Sequence, residues 1–173
     1  MPTKTAISFG LVHIPVSLHT ATTNIDIRLN LLHKDTKERI RYKKTSSNSG
    51  EEVKPDDIVK CFEYEKGKFV IVTDDDLEKI KTEKDRTIHI LHFTDISEIN
   101  PVYFEKTYYV IPELSGEKAF ELLRQTMSND NKIAISKTVL GTKETLLALI
   151  PREDSILAQT LFYENEIKDL PKT

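Results

Sequence analysis

Seven residues near the start of the chain, Val12-His13-Ile14-Pro15-Val16-Ser17-Leu18, decide the class of fold. Their apolar side chains fall at every second position, which is the pattern of a strand with one buried face. Pro15 then belongs on the opposite face, at an edge or a bulge, because it has no N–H to give to a strand ladder. The sequence therefore indicates a half-buried β-strand at this point.

The rest of the chain extends this preference for strands. It holds 18 Ile, 18 Thr and 9 Val, which is 45 of 173 residues, against 6 Ala. Side chains branched at Cβ suit a pleated surface better than a helix. Six further strands are predicted, at 69–73, 86–93, 107–111, 133–140, 145–150 and 156–163. The segment Leu140–Glu144 between two of them has the composition of a hairpin turn.

Two helices interrupt the strands. The first is predicted to start at a capping residue, Ser115, and to end at Asn129-Asp130-Asn131. Its apolar stripe at 3.6-residue spacing consists of Ala119, Phe120, Leu122, Leu123 and Met127. A short second helix starts at Thr73, and 43–52 is predicted to be a mobile loop. We predict a mainly β protein, an antiparallel β-barrel or sandwich with one or two peripheral α-helices.

Composition limits the function classes. A chain of 173 residues is most simply one domain, residues 1–173. Its single cysteine, Cys61, forms no intramolecular disulfide and fits a reducing cytoplasm. No apolar run reaches the roughly 18 residues of a membrane span, so no membrane partner is expected. With 25 Lys and Arg against 28 Asp and Glu, the net charge of −3 argues at face value against nucleic acid as a partner.

Residues that carry catalysis are scarce. Asp74-Asp75-Asp76 is better explained by helix capping than by metal binding, because consecutive side chains diverge. His89 and His92, three apart, point to opposite faces of a strand and cannot chelate one ion there. No phosphate-binding loop, dinucleotide fingerprint or nucleophile elbow is present. We therefore expect no enzymatic activity, no metal and no cofactor.

The informative feature is a basic row, defined here as Arg39, Arg41, Lys43 and Lys44. The segment Lys37–Asn48 holds five basic residues and one acidic one, +4 in a chain that totals −3. In an extended strand Arg39, Arg41 and Lys43 share one face, about 6.8 Å apart. Such a row can follow a phosphate backbone. The alternative is a solvated edge strand whose charges discourage aggregation.

An ordered series of motifs then resembles the prokaryotic Ku family, the DNA-end-binding proteins of non-homologous end joining. It opens with Lys4-Thr5-Ala6-Ile7-Ser8-Phe9-Gly10-Leu11-Val12-His13-Ile14-Pro15-Val16. It continues along nearly the whole chain through Arg39-Ile40-Arg41-Tyr42, Phe62-Glu63-Tyr64-Glu65-Lys66-Gly67, Asn100-Pro101-Val102-Tyr103-Phe104 and Ala134-Ile135-Ser136-Lys137. Each motif is weak alone, but their order and spacing make the resemblance specific.

The resemblance implies a β-barrel with a long insertion, here about residues 38–70, that forms half of a bridge. Two copies would join as a homodimer and close a ring around a duplex threaded from its end. The implied DNA-binding residues are Arg39, Arg41, Lys43, Lys44, Lys54, Lys60 and, more weakly, Lys4 and Lys137. The aromatic residues implied at the dimer interface or in the packing of the bridge are Tyr42, Phe62, Tyr64 and Phe69.

The family's partner is an ATP-dependent DNA ligase. Relatives usually continue beyond the barrel into a helical arm and a basic tail, whereas this sequence ends at Thr173, so ligase recruitment by this chain is the least supported part of the resemblance. Two other functions stay open: a SPOC-like module that binds peptides without threading DNA, and a nuclease or lyase that acts at DNA ends.

Overall fold

The computed structural model describes residues 2–79, 86–141 and 143–171 of the protein. The chain falls into two compact units. The barrel unit comprises residues 1–24 and 83–173, and the arm unit comprises residues 25–82.

Seven strands of the barrel unit form a closed barrel. In chain order they are β1 (Thr3–Phe9), β2 (Val12–Thr20), β5 (Ile88–Asp95), β6 (Phe104–Pro112), β7 (Lys132–Leu140), β8 (Lys143–Pro151) and β9 (Ile156–Leu161). Around the barrel they follow the order β1-β2-β6-β9-β8-β7-β5. All neighbours are antiparallel except the pair that closes the barrel, where β1 lies parallel to β5 at Ile7 and Ile88. The expected mainly β barrel is confirmed.

The remaining regular elements are few. The arm unit contains β3 (Lys60–Glu65), β4 (Lys68–Val72) and helix α1 (Asp74–Lys79), and helix α2 (Glu117–Asn129) belongs to the barrel unit. Short 3-10 helices lie at Pro55–Asp57, Ile96–Glu98, Pro101–Tyr103 and Glu164–Glu166. Each strand predicted from the sequence overlaps an observed strand. The β7–β8 hairpin is also as predicted, with Leu140 opposite Lys143, although Thr142 of its turn lies outside the described residues.

Strand β2 shows why its pattern was decisive. Ile14, Val16 and Leu18 are buried in the main core cluster. Pro15 lies on the other face, as predicted, but in an interior strand of the barrel. Its missing N–H costs no ladder bond, because the pairing of β2 with β6 begins one residue later, at Val16 opposite Pro112. The carbonyl of Pro15 then accepts a bond from the N–H of Glu113 at 2.9 Å.

The N-terminus of α2 differs from the prediction. Gly116, not Ser115, is the capping residue, and Ser115 adopts a left-handed backbone conformation with φ of 77°. The close approach of β2 requires a glycine at this cap, since a Cβ on residue 116 would lie 2.8 Å from the carbonyl oxygen of Pro15. A cap with a side chain does not fit there. The predicted end of the helix at Asn129-Asp130-Asn131 is confirmed.

Helix α2 packs one face onto the barrel. Phe120 and Met127 are buried in the main core cluster, and Ala119 and Leu123 are packed against it. Leu122, which was predicted to belong to the same stripe, is 67% exposed. The helix therefore buries a narrower stripe than the sequence indicated.

Arg124 forms an ion pair within α2 and a hydrogen bond to the turn that precedes β9. Arg124 donates to both carboxylate oxygens of Glu121, at 2.8 and 2.6 Å, and to the carbonyl oxygen of Arg152 at 2.7 Å. Hydrogen bonds from Arg124, and then from Gln125, lower the pKa of Glu121 to about 2. The arginine thereby connects the helix to the strand region beneath it.

The buried stripe of α2 gives a first prediction. Replacing Phe120 by Ala removes a core side chain and leaves a cavity, so the free energy of unfolding should fall by about 3–5 kcal/mol. Leu122→Ala on the same helix should cost less than about 1 kcal/mol, because that side chain is exposed. Urea unfolding of both variants measures the difference. Equal losses would contradict this orientation of the helix.

The Glu121–Arg124 pair gives a second prediction. The pKa of Glu121 is lower in the folded than in the unfolded chain, so its stabilising effect is present above the unfolded pKa and is lost as pH falls toward 2. Thermal midpoints measured between about pH 5 and pH 2 should therefore fall less steeply for Glu121→Gln than for the unaltered protein. Parallel curves for the two proteins would show that the pair contributes nothing.

Candidate nucleic-acid interface

The basic row lies on an exposed segment of the arm unit. The only strand-like pairings at its ends are isolated bridges, Leu32 with Arg39 and Thr45 with Glu52, in the part of the chain that the structure describes. Arg39, Arg41 and Lys43 therefore do not lie together in a regular strand. The backbone is fixed only where these bridges hold it, and no described neighbouring strand runs beside the residues between them.

Each bridge belongs to a short turn stabilised by backbone bonds. In the first, the N–H of His33 donates to the carbonyl of Glu38 at 2.9 Å, and the N–H of Ile40 donates to the carbonyl of Leu31 at 3.0 Å. In the second, the N–H of Val53 donates to the carbonyl of Lys44 at 2.9 Å. The segment 43–52, which was predicted to be a mobile loop, is thus a closed hairpin.

Six of the predicted DNA-binding residues lie on the arm unit, and they divide into two groups. Lys43 pairs with Glu52 at 2.5 Å across the second turn, and Lys60 pairs with Asp74 at 3.0 Å. Four others are exposed and form no side-chain hydrogen bond or ion pair with the residues described here: Arg39, Arg41, Lys44 and Lys54. None of these four positive charges pairs with an acidic side chain of the described residues.

The two remaining candidates, Lys4 and Lys137, lie on the barrel unit, and both are paired. Lys4 is 3.4 Å from Glu113, and Lys137 is 2.7 Å from Glu144. The hydrogen bond from Lys137 to the Glu144 carboxylate raises the pKa of the lysine and lowers that of the acid. Both groups stay charged but compensate one another, so these lysines are weaker candidates for binding an anion.

The four aromatic candidates are all exposed, with Tyr42 at 84%. In the β3–β4 ladder Phe62 lies opposite Val70, and Glu63 lies opposite Phe69. Neighbouring positions of a strand point to opposite faces, so Phe62 and Phe69 are on different faces of this two-stranded sheet. The register shifts at Tyr64, between Glu63 and Glu65. The aromatic residues therefore do not form one patch.

Both faces of the β3–β4 sheet are apolar and exposed. Phe62 and Val70 share one face, and Phe69 and Ile71 lie on the other, each more than half exposed. An isolated two-stranded sheet is marginally stable in water. Exposed apolar side chains of this kind are typical of surfaces that contact another molecule.

The acidic run after β4 is a helix cap. The hydroxyl of Thr73 donates to Oδ2 of Asp76 at 2.6 Å, and the N–H of Asp76 donates back to that hydroxyl at 3.1 Å. These bonds lower the pKa of Asp76. No group of three or more metal-ligating side chains occurs among the described residues, and Cys61 is exposed and unpaired by any disulfide.

One further exposed cation of the arm unit was not identified from the sequence as a candidate site residue. Arg28 is an exposed cation on the segment that leads to the Leu32–Arg39 bridge. The available signal was the alternation of Ile25, Ile27, Leu29 and Leu31 with polar residues, which has the period of a strand. Separately, no helix of the described residues is long and apolar enough to cross a membrane.

A family model and individual proteins of known family both match this chain. Residues 8–173 match the family model described as the Ku70/Ku80 beta-barrel domain. A protein of Lachnoclostridium phytofermentans named "Non-homologous end joining protein Ku" is 56% identical over 169 residues, 98% of this chain and 66% of the relative.

Two further proteins with the same name show how far the similarity reaches. One from Archaeoglobus fulgidus is 41% identical over 165 residues, and one from Bacillus subtilis is 39% identical over 166 residues. Both alignments cover 95% of this chain, but only 65% and 53% of the respective relatives. The chain thus spans between half and two thirds of the length of these curated relatives.

Proposed function

The chain belongs to the family of the Ku70/Ku80 beta-barrel domain, and on that basis we propose that it binds the ends of double-stranded DNA, independently of sequence, as a ring-shaped homodimer. Its relatives are named for non-homologous end joining, and the proposed role is to protect broken ends and present them for that repair.

The observation that supports this function best is a group of exposed arm-unit cations that pair with no described acidic side chain. Lys4, Lys132, Lys137 and Lys143 of the barrel unit each pair with a carboxylate of the same unit. The arm-unit residues Arg39, Arg41, Lys44 and Lys54 have no such partner among the described residues. Phosphate oxygens of a duplex would supply the missing negative charge.

This arrangement favours binding to the phosphate backbone of DNA without recognition of the base sequence. Cations on an extended backbone neutralise phosphates and release condensed counterions, which gives affinity that depends on salt and not on sequence. Arg39 and Arg41 are suited to the task, because a guanidinium donates two parallel bonds to a phosphate. Lys43 and Lys60 act differently in this proposal: their ion pairs hold the hairpin 43–52 and the β3–α1 junction in place.

A closed ring explains the preference for ends. Two arm units, one from each copy, would complete the enclosure and cover the apolar faces of the β3–β4 sheets. A duplex could then enter only from a free end. The expected partners are DNA ends, a second copy of the chain and an ATP-dependent DNA ligase, in the cytoplasm. No catalytic step is assigned to the chain.

The ring is tested by comparing DNA topologies. A linear duplex and a closed circle of the same sequence are offered at equal concentration in an electrophoretic mobility shift assay with Mg²⁺. The proposal predicts shifted linear DNA, little shift of the circle and no strand cleavage. Equal binding to both forms would contradict threading, binding of neither would favour a SPOC-like protein module, and cleavage would favour a nuclease.

The unneutralised arginines give a quantitative prediction. Removing both in Arg39→Ala/Arg41→Ala should weaken binding to a linear duplex about tenfold or more, and should reduce the slope of log affinity against log salt by about 2. The matched control is Lys118→Ala/Lys168→Ala, which removes two exposed charges from the barrel unit. It should bind like the unaltered protein. An unchanged salt slope for the arginine variant would remove the basic row from the interface.

A further inference from the structure

The segment 24–30, Asn-Ile-Asp-Ile-Arg-Leu-Asn, has the sequence of a strand but is not in one. Within the described chain, residues 22–31 have no assigned regular secondary structure. Ile25, Ile27 and Leu29 are 87%, 86% and 84% exposed. Three large aliphatic side chains at alternate positions are all exposed to water. Such a surface is typical of one that becomes buried when another molecule binds.

The segment is chemically symmetrical about Ile27. The acid Asp26 precedes Ile27 and the base Arg28 follows it. One position further out, each side has an aliphatic residue, Ile25 before and Leu29 after. Asn24 and Asn30 complete the symmetry at the ends. A sequence of this kind is complementary to itself when two copies run antiparallel.

We infer that residues 24–30 form an intermolecular antiparallel strand pair with the same residues of a second copy, with the twofold axis at Ile27. This inference rests on the homodimer of the proposed function and names the surface that the two copies share. In this register Asp26 lies opposite Arg28 of the second copy, and Arg28 lies opposite its Asp26. Ile25 meets Leu29 in the same reciprocal way, as an isologous interface requires.

Other pairings of the segment are less favourable. The Leu32–Arg39 bridge, continued within the chain, would place Arg28 opposite Lys43, and like charges directly opposite each other are destabilising. A parallel pair of copies in register would place Asp26 beside Asp26 and Arg28 beside Arg28. Only the antiparallel pair of copies matches every charge and every aliphatic residue.

The same segment leads directly into the basic row. Leu31 accepts a backbone bond from Ile40 at 3.0 Å, and Leu32 pairs with Arg39. A strand pair centred on Ile27 would therefore place the first residues of the two basic rows, one from each copy, at positions related by the twofold axis. Dimerisation and positioning of the phosphate-binding cations would depend on one short segment.

Cysteine cross-linking tests the position of the twofold axis. In a Cys61→Ser background, Ile27→Cys places two thiols directly opposite each other, about 4.5–5.5 Å apart at Cα, within the range of a disulfide. Mild oxidation should yield most of the protein as a covalent dimer on a non-reducing gel. The matched control Ile25→Cys places its thiols about 14 Å apart along the strands and should remain unlinked.

A charge swap tests the register independently. Asp26→Arg and Arg28→Asp each bring like charges together, and each should raise the dimer dissociation constant about tenfold, measured by sedimentation. The double variant Asp26→Arg/Arg28→Asp restores the opposite pairs and should recover the original constant. Failure of the double variant to recover would overturn the inference.

The outcomes separate this inference from the proposed function. A dimer that binds linear DNA but shows no Ile27→Cys cross-link, or equal links from both cysteine variants, would overturn the strand pair and leave the ring standing. A protein that is monomeric with and without duplex would overturn both.

Discussion

The rest of the structure depends on where the apolar core is built. Every residue that the structure buries belongs to the barrel unit, in strands from both ends of the chain, in α2 or in the turn before it. Of residues 25–77 in the arm unit, for which the structure describes burial, none is buried. The hydrophobic effect therefore stabilises the barrel directly, whereas the arm unit depends on short turns, ion pairs and whatever covers its apolar side chains.

This division also explains the charge. A chain with a net charge of −3 gives no indication of an anionic partner until the charges are located. The two predicted DNA-binding lysines on the barrel each lie within ion-pair distance of a carboxylate; Lys137, for example, pairs with Glu144. On the arm, Arg39 and Arg41 have no described acidic partner. Distribution of charge, and not its sum, distinguishes a surface suited to phosphate from one that repels it.

The sequence predicted the barrel well, because strands with one buried face carry a period that can be read locally, as Val12–Leu18 does. Strand β3 was not identified, since all of its residues are exposed and no burial pattern marks it. The glycine cap at position 116 was not predicted because the need for it comes from Pro15, a residue about a hundred positions away in the sequence. The sequence also could not predict which cations form ion pairs. Lys43 pairs with Glu52 only because a turn brings the two side chains together, and their separation in the sequence does not indicate this.

The central claim is that two copies of the chain use their exposed arm units to enclose one duplex. The most direct measurement is the molar mass by light scattering, first of the protein alone and then with a short blunt duplex. We predict the mass of two chains for the protein alone, and the mass of two chains with one duplex when DNA is present. A mass of one chain in both samples, unchanged by the DNA, would contradict it.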